Sequence, residues 1–214
     1  MRGRFFIPAV VVPLFLACSS MYFAGMEKLG VHKREIMVDR VKAARDTQNE
    51  AKEQFLSAME QFKSVVAVQG GDLEEKYEKL SATLEKSENE AAAVRKRIKS
   101  VEEVSEALFS EWSEEIKQYN SESLKKASQR KYDQAKTKYV ELMKAMKKAE
   151  SKLEPALVPL RDQVLFIKHN LNAKAIAGLS DELISVQTNV DNLVHDMEVA
   201  IAEADKFIAA LQEE

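Results

Sequence analysis

The 214 residues carry 45% apolar side chains, enough for a real core, so disorder of the whole chain is excluded. Charged residues make up 31%, and beyond Cys18 there are 30 Lys and Arg against 35 Asp and Glu. So evenly mixed and mildly acidic a surface excludes nucleic acid as the main partner, because phosphate binding needs a concentrated basic face.

Residues 1–17 read as an export signal. Arg2 and Arg4 give a positive start, Phe5 to Leu16 an apolar run, and Ala17 a small residue before Cys18. The run is shorter than the roughly 20 apolar residues a permanent span needs. Leu14-Phe15-Leu16-Ala17-Cys18 resembles the lipobox of bacterial lipoproteins, whose cysteine becomes the lipidated first residue of the mature protein, with Phe15 standing where leucine is usual. The other readings are an uncleaved membrane anchor, or an ordinary signal peptide in which Cys18 is incidental. Lipidation is preferred because Cys18 is the only cysteine and sits where that chemistry needs it. Acyl chains totalling several tens of methylenes, each contributing about 0.8 kcal/mol on burial, would hold the chain stably on a membrane. Ser19 follows the cysteine, and in the lipoproteins it resembles a residue other than Asp here goes with outer-membrane sorting.

Residues 18–31 form the lipidated cysteine and a tether with Gly25 and Gly30; the thirteen residues after Cys18 reach at most about 45 Å when extended. Lys28, His32, Lys33 and Arg34 offer cations to anionic headgroups, or simply begin a solvated helix.

Residues 32–214 are expected to form one helical domain. After Gly30 the only glycines are Gly70, Gly71 and Gly178, and the only prolines Pro155 and Pro159, which leaves little room for a sheet and its turns. A first helix places Val41, Ala44, Ala51, Phe55, Ala58, Phe62 and Val65 at steps of three and four, with Gln48 filling the one gap, and stops near Gln69 before Gly70-Gly71. Asp72 caps a second helix, which runs from Leu73 through Val94, Ile98 and Leu108 to about Tyr119, with Ser87 and Ser105 keeping the spacing.

Residues 120–123 form a turn and cap. The third helix carries Tyr132, Tyr139, Leu142, Met146 and Leu153 on one stripe, meets Pro155 and Pro159, which should kink or break it, and continues in register to Gly178. Ser180 then caps a fourth helix through Leu183, Val190, Leu193, Met197 and Leu211. Short turns force successive helices to alternate direction, so the expected fold is all-α, an elongated antiparallel up-down-up-down bundle with coiled-coil-like packing.

Counting back from each turn sets the start of the first helix opposite residue 109 and the end of the fourth opposite about residue 143. Residues 109–138 should then stand out as a bare two-helix finger carrying Phe109, Trp112, Ile116, Tyr119 and Leu124. A two-stranded coil is not expected to bury all of these, which makes them a candidate protein-partner surface. The plainer alternatives are packing within the hairpin, against the tether, or in a homo-oligomer.

Catalytic signatures are missing. His32, His169 and His195 form no Glu-x-x-His or His-Glu-x-x-His motif, and the His195/Glu198 pair at i, i+3 arises easily by chance. Gly70-Gly71 is not followed by the Lys and Ser/Thr of a phosphate loop, and the serines lie on helices without a base at useful spacing. The expectation is no catalytic residue, no metal site, no cofactor and no enzyme. Arg161 to Asn172 is the least generic stretch: its polar groups suit a cap or a buried network, with Asn170 and Asn172 ending the helix rather than binding a ligand.

The stretches DRVKAARDTQNEAKEQF (39–55), FKSVV (62–66), GGDLEEKYEKL (70–80), ALFSEWSEEI (107–116) and RDQVLFIKHNLNAKAIAGL (161–179) resemble a family of proteobacterial envelope proteins catalogued as a domain of unknown function. The resemblance spans nearly the whole mature chain and implies a Gram-negative envelope, but no activity and no functional residues. The expected function is that of a non-enzymatic envelope lipoprotein, membrane-bound through its lipid and acting as helical scaffold, spacer or adaptor, on the outer membrane facing the periplasm. A periplasmic carrier or sensor with a hydrophobic ligand between its helices is the alternative.

Overall fold

A computed structural model describes residues 32–67, 73–170, 179 and 182–212. The export signal, Cys18, the tether, the Gly70-Gly71 turn, Asn172, Gly178 and Ser180 lie outside the described residues. Four helices follow in order: α1 over Lys33–Ala67, α2 over Leu73–Gln118, α3 over Glu122–His169 and α4 over Leu183–Gln212. Among the described residues there is no strand, and no helix is long and apolar enough to cross a membrane.

Each helix hides one stripe against two neighbours: α1 lies between α2 and α4, and α3 touches the same two from the other side. This closed square is the expected all-α bundle. Its core runs the length of the molecule, with Met37, Phe55, Ile98, Leu142, Leu153, Leu193 and Phe207 among the side chains almost wholly removed from water. Burying each large apolar side chain contributes about 1.5–3 kcal/mol, which is where helices of this length find their stability. Gln48, Ser87 and Ser105, read from the sequence as filling gaps in the apolar stripes, are indeed buried. Each serine back-bonds to its own helix, Ser87 to the Thr83 carbonyl at 3.0 Å and Ser105 to that of Glu102 at 2.7 Å. Gln48 finds no partner for either amide atom.

The third helix passes through Pro155 and Pro159 without a break and with its stripe in register, although each proline removes a backbone donor. Ser151 and Pro155, whose carbonyls lose that donor, are both exposed, so water can replace the bond; Ala156, Leu157 and Leu160 meanwhile keep the stripe buried. The helix ends, however, at His169 and not at Gly178. Asn170 is the cap, its N–H donating to the Ile167 carbonyl at 3.1 Å and its side-chain amide to that of Phe166 at 3.0 Å. The sequence had marked Asn170 for that task.

Ending α3 early changes the register of α4. Tyr139 meets the Phe207 ring at 6.5 Å between centroids, and Ala135 shares a groove with Leu211. The end of α4 therefore lies opposite about residue 135, not 143, and covers part of what counting had left bare. The other register holds: Lys33 Nζ reaches Glu111 Oε2 at 2.9 Å, so α1 begins beside Glu111, close to the expected residue 109.

Candidate functional site

What remains of the finger is the hairpin tip beyond Glu111 on α2 and Ala135 on α3. Measured along the helices to residue 120, it extends about 14 Å past the start of α1 and about 22 Å past the end of α4. The proposed partner surface there needs correcting. Phe109, Trp112 and Ile116 are 8%, 9% and 5% exposed, so three of its five residues are interior. Phe109 meets Tyr132 edge-on at 5.6 Å and Tyr139 at 5.4 Å, while Trp112 meets Tyr132 edge-on at 5.7 Å. Edge-to-face rings bury large areas in a narrow seam, so α2 and α3, helped by Arg34 at the start of α1, cover what simple counting said they could not. The indole N–H of Trp112 donates to Ser128 Oγ at 3.0 Å, and the Arg34 guanidinium sits 5.0 Å from the indole. Only Tyr119 and Leu124, at 41% and 56% exposure, face solvent at the tip.

The first cations of α1 are committed in the same way. Lys33 is largely covered beside Glu111 and Arg34 lies on Trp112, which ties the start of the domain to the hairpin. His32 is exposed; Lys28 lies outside the described residues.

At the opposite end, α3 and the approach to α4 enclose an open groove of 480 Å³ lined by Pro159, Asp162, Gln163, Phe166, Leu179, Glu182 and Ser185. Around it Leu165 is 55%, Phe166 43% and Ile184 76% exposed. This end, within the Arg161 to Asn172 stretch the sequence had singled out, bears more apolar surface than the tip does. The same stretch supplies an ion-pair network: Arg161 bonds Glu88 through Nε and Glu154 through Nη1, and Arg95 joins Glu154 at 3.2 Å. The Arg161 hydrogen bond holds the Glu154 carboxyl below its usual range, and hydrogen bonds to Glu88 and Glu154 raise Arg161.

A partly closed void of about 10 Å³ lies among Ala58, Phe62, Leu80, Thr83, Leu84, Leu160 and Val164, at the lower limit of what one water needs. The larger hollows are open surface grooves. His169 and His195 are exposed, and Glu198, partner of His195 in the i, i+3 pair, reaches Lys52 of α1 at 3.9 Å. Among the described residues, no three His, Cys, Asp or Glu side chains gather where they would hold a metal. Asp196, overlooked in the sequence, is buried at 4% exposure and answered by Lys148 at 2.8 Å. Its position one residue before Met197, on the stripe, was the available signal.

The pattern of one protein family, described as a protein of unknown function (DUF2959), matches residues 22–211, and the chain belongs to that family. No curated protein matches the chain.

Proposed function

We propose that this member of a family without assigned activity is a lipid-anchored envelope protein, a non-enzymatic spacer and adaptor that holds its far end away from the membrane. The observation that carries the reading is the Lys33–Glu111 contact, which puts the entry of the chain at one end of the bundle. If Cys18 bears the lipid, the membrane lies on that side. The 38 helical steps of α2 from Glu111 back to Leu73 then stand the opposite end about 57 Å from the entry point. The groove around Phe166, with Leu165 and Ile184 beside it, is there to meet a protein partner.

The slender void between helices supports a spacer over a carrier of apolar ligands, whose pockets usually enclose about 300–1,000 Å³. The export-signal pattern of residues 1–17, with Cys18 after it, is what supports an envelope address.

Feeding cells an alkyne-bearing fatty acid tests the anchor: label should enter the wild-type chain and be lost from Cys18→Ser, which should leave the membrane fraction. An unlabelled wild-type chain would refute the anchor. Crosslinking in intact cells followed by mass spectrometry tests the adaptor role, the expectation being partner peptides joined near Phe166 and Ile184. Crosslinks spread evenly along the bundle would remove that part of the reading.

A further inference from the structure

We infer that the turn of the α2–α3 hairpin is a foot that rests on the anionic surface of the membrane holding the chain. The inference rests on the anchor reading and adds the orientation of the bundle and the side chains that meet lipid.

Two independent observations converge on the tip. The first is position. Lys33 sits beside Glu111, so the residues leading back toward Cys18 depart from the base of the hairpin, and the thirteen between Cys18 and His32 span at most about 45 Å. The tip reaches about 14 Å beyond that point of departure, well within the tether's span, so a surface holding the tether can lie against it.

The second is chemistry. Tyr119 and Leu124 are 41% and 56% exposed on either side of the turn. The tip beyond Glu111 and Ala135 holds Lys117, Lys125, Lys126, Arg130 and Lys131 against Glu114, Glu115, Glu122 and Asp133, but residues 123–131, just past the turn, carry four of those cations and no acid. Lys117 is paired with Glu114 at 2.6 Å. Among the described residues, no carboxylate pairs with Lys125, Lys126 or Arg130. An amphipathic aromatic ring and a leucine flanked by long cationic stems is the composition of a membrane interface: the ring settles at headgroup depth and the cations take the phosphates. A second copy offering exposed acids of α2, such as Glu103 and Glu106, is the competing occupant. It accounts for the cations but not for the exposed tyrosine and leucine, nor for the nearness of the tether.

The test uses the full lipidated chain reconstituted in vesicles of phosphatidylglycerol and phosphatidylcholine. With Cys18 acylated, Leu124→Cys supplies one free thiol for an environment-sensitive fluorophore, at a position exposed enough to leave the fold intact; Ser185→Cys places the same label at the far end. Brominated lipids should quench the label at position 124 and spare the one at 185. Reversing Lys125, Lys126 and Arg130 to Glu, or replacing phosphatidylglycerol with neutral lipid, should lower the docked-to-undocked ratio about tenfold or more. Equal quenching at both positions overturns the foot. So does quenching indifferent to lipid charge, or an unquenched tip in a dimer that the charge reversals dissociate. Flotation of the vesicles and the mass of the Cys18 peptide report the anchor separately. An acylated, floating chain with an unquenched tip sinks the foot alone, whereas an unmodified Cys18 and no flotation sink both.

Discussion

Trp112 on α2 and Ser128 on α3 are joined across the hairpin by an indole N–H donating to a hydroxyl at 3.0 Å. Together with the Tyr132 ring against the indole and Arg34 5.0 Å from it, the bond makes Trp112 the staple between hairpin and bundle. A buried side chain of this size costs about 3–5 kcal/mol when cut to alanine, while one neutral hydrogen bond is worth about 1 kcal/mol.

Trp112→Ala should therefore lower the unfolding free energy by about 3–5 kcal/mol, and Ser128→Ala by about 1 kcal/mol, in urea titrations. A Trp112→Ala chain with unchanged midpoint but altered partners would restore the tip aromatics as a protein-docking surface.

Gln48 raises the opposite question, a polar group with nothing to bond. It is 0% exposed, and both atoms of its amide lack partners. Leaving a buried amide unsatisfied costs about 1–3 kcal/mol, so Gln48→Leu, similar in volume, should raise stability by roughly that amount. A fall in the denaturant midpoint instead would mean that an internal water completes the Gln48 amide, with Gln48→Leu stranding it.

Why the sequence carried the fold so far, and the site less far, is visible in single residues. Apolar side chains at steps of three and four must lie on one face of a helix whatever the surroundings, so Phe55, Ile98, Leu142 and Leu193 could be assigned to the core from spacing alone. The start of α1 beside Glu111 was also legible, because a pair of glycines allows a short turn and helical rise is constant. The α4 register failed because it depended on where α3 stops. Both Asn170 and Gly178 are plausible terminators, and choosing between them takes the tertiary contacts that a cap leads into. The finger failed for another reason. Counting helices says how much surface is available, but not that Phe109, Trp112, Tyr132 and Tyr139 would interlock edge to face in so narrow a seam. Asp196 was hidden because its answer, Lys148, lies 48 residues away on another helix.

Tyr139 supplies a pH dependence with a definite sign. Burial raises its phenol above the ordinary value, and a hydrogen bond with Ser105 pulls only partly the other way. A group whose folded pKa lies above its unfolded one contributes stability that is fully present below the unfolded pKa and is lost as pH rises through the folded pKa. The seam around Phe109 and Phe207 should thus loosen only in alkali, above the usual tyrosine range. Tyr139→Phe should flatten that alkaline loss in thermal melts. An unchanged alkaline profile in the variant would show that another group governs it.

The Arg161 network should act at the acid side and weakly. Glu154 is held low chiefly by its bond to Arg161, so its contribution is present above the unfolded carboxylate range and disappears as pH falls through the folded pKa. Glu154 and Arg161 are both more than a third exposed, at 52% and 38% of their side-chain surface, and solvent screening holds such pairs to about 0–1 kcal/mol. Arg161→Met keeps the apolar stem over α2 and removes the charge. It should cost no more than about 1 kcal/mol at neutral pH, and the difference from wild type should vanish near pH ~3 or in molar salt. A loss of several kcal/mol that persists in salt would mean that Arg161 holds the far end of the bundle through packing, and would make it, with neighbouring Gln163, a structural support of the Phe166 groove.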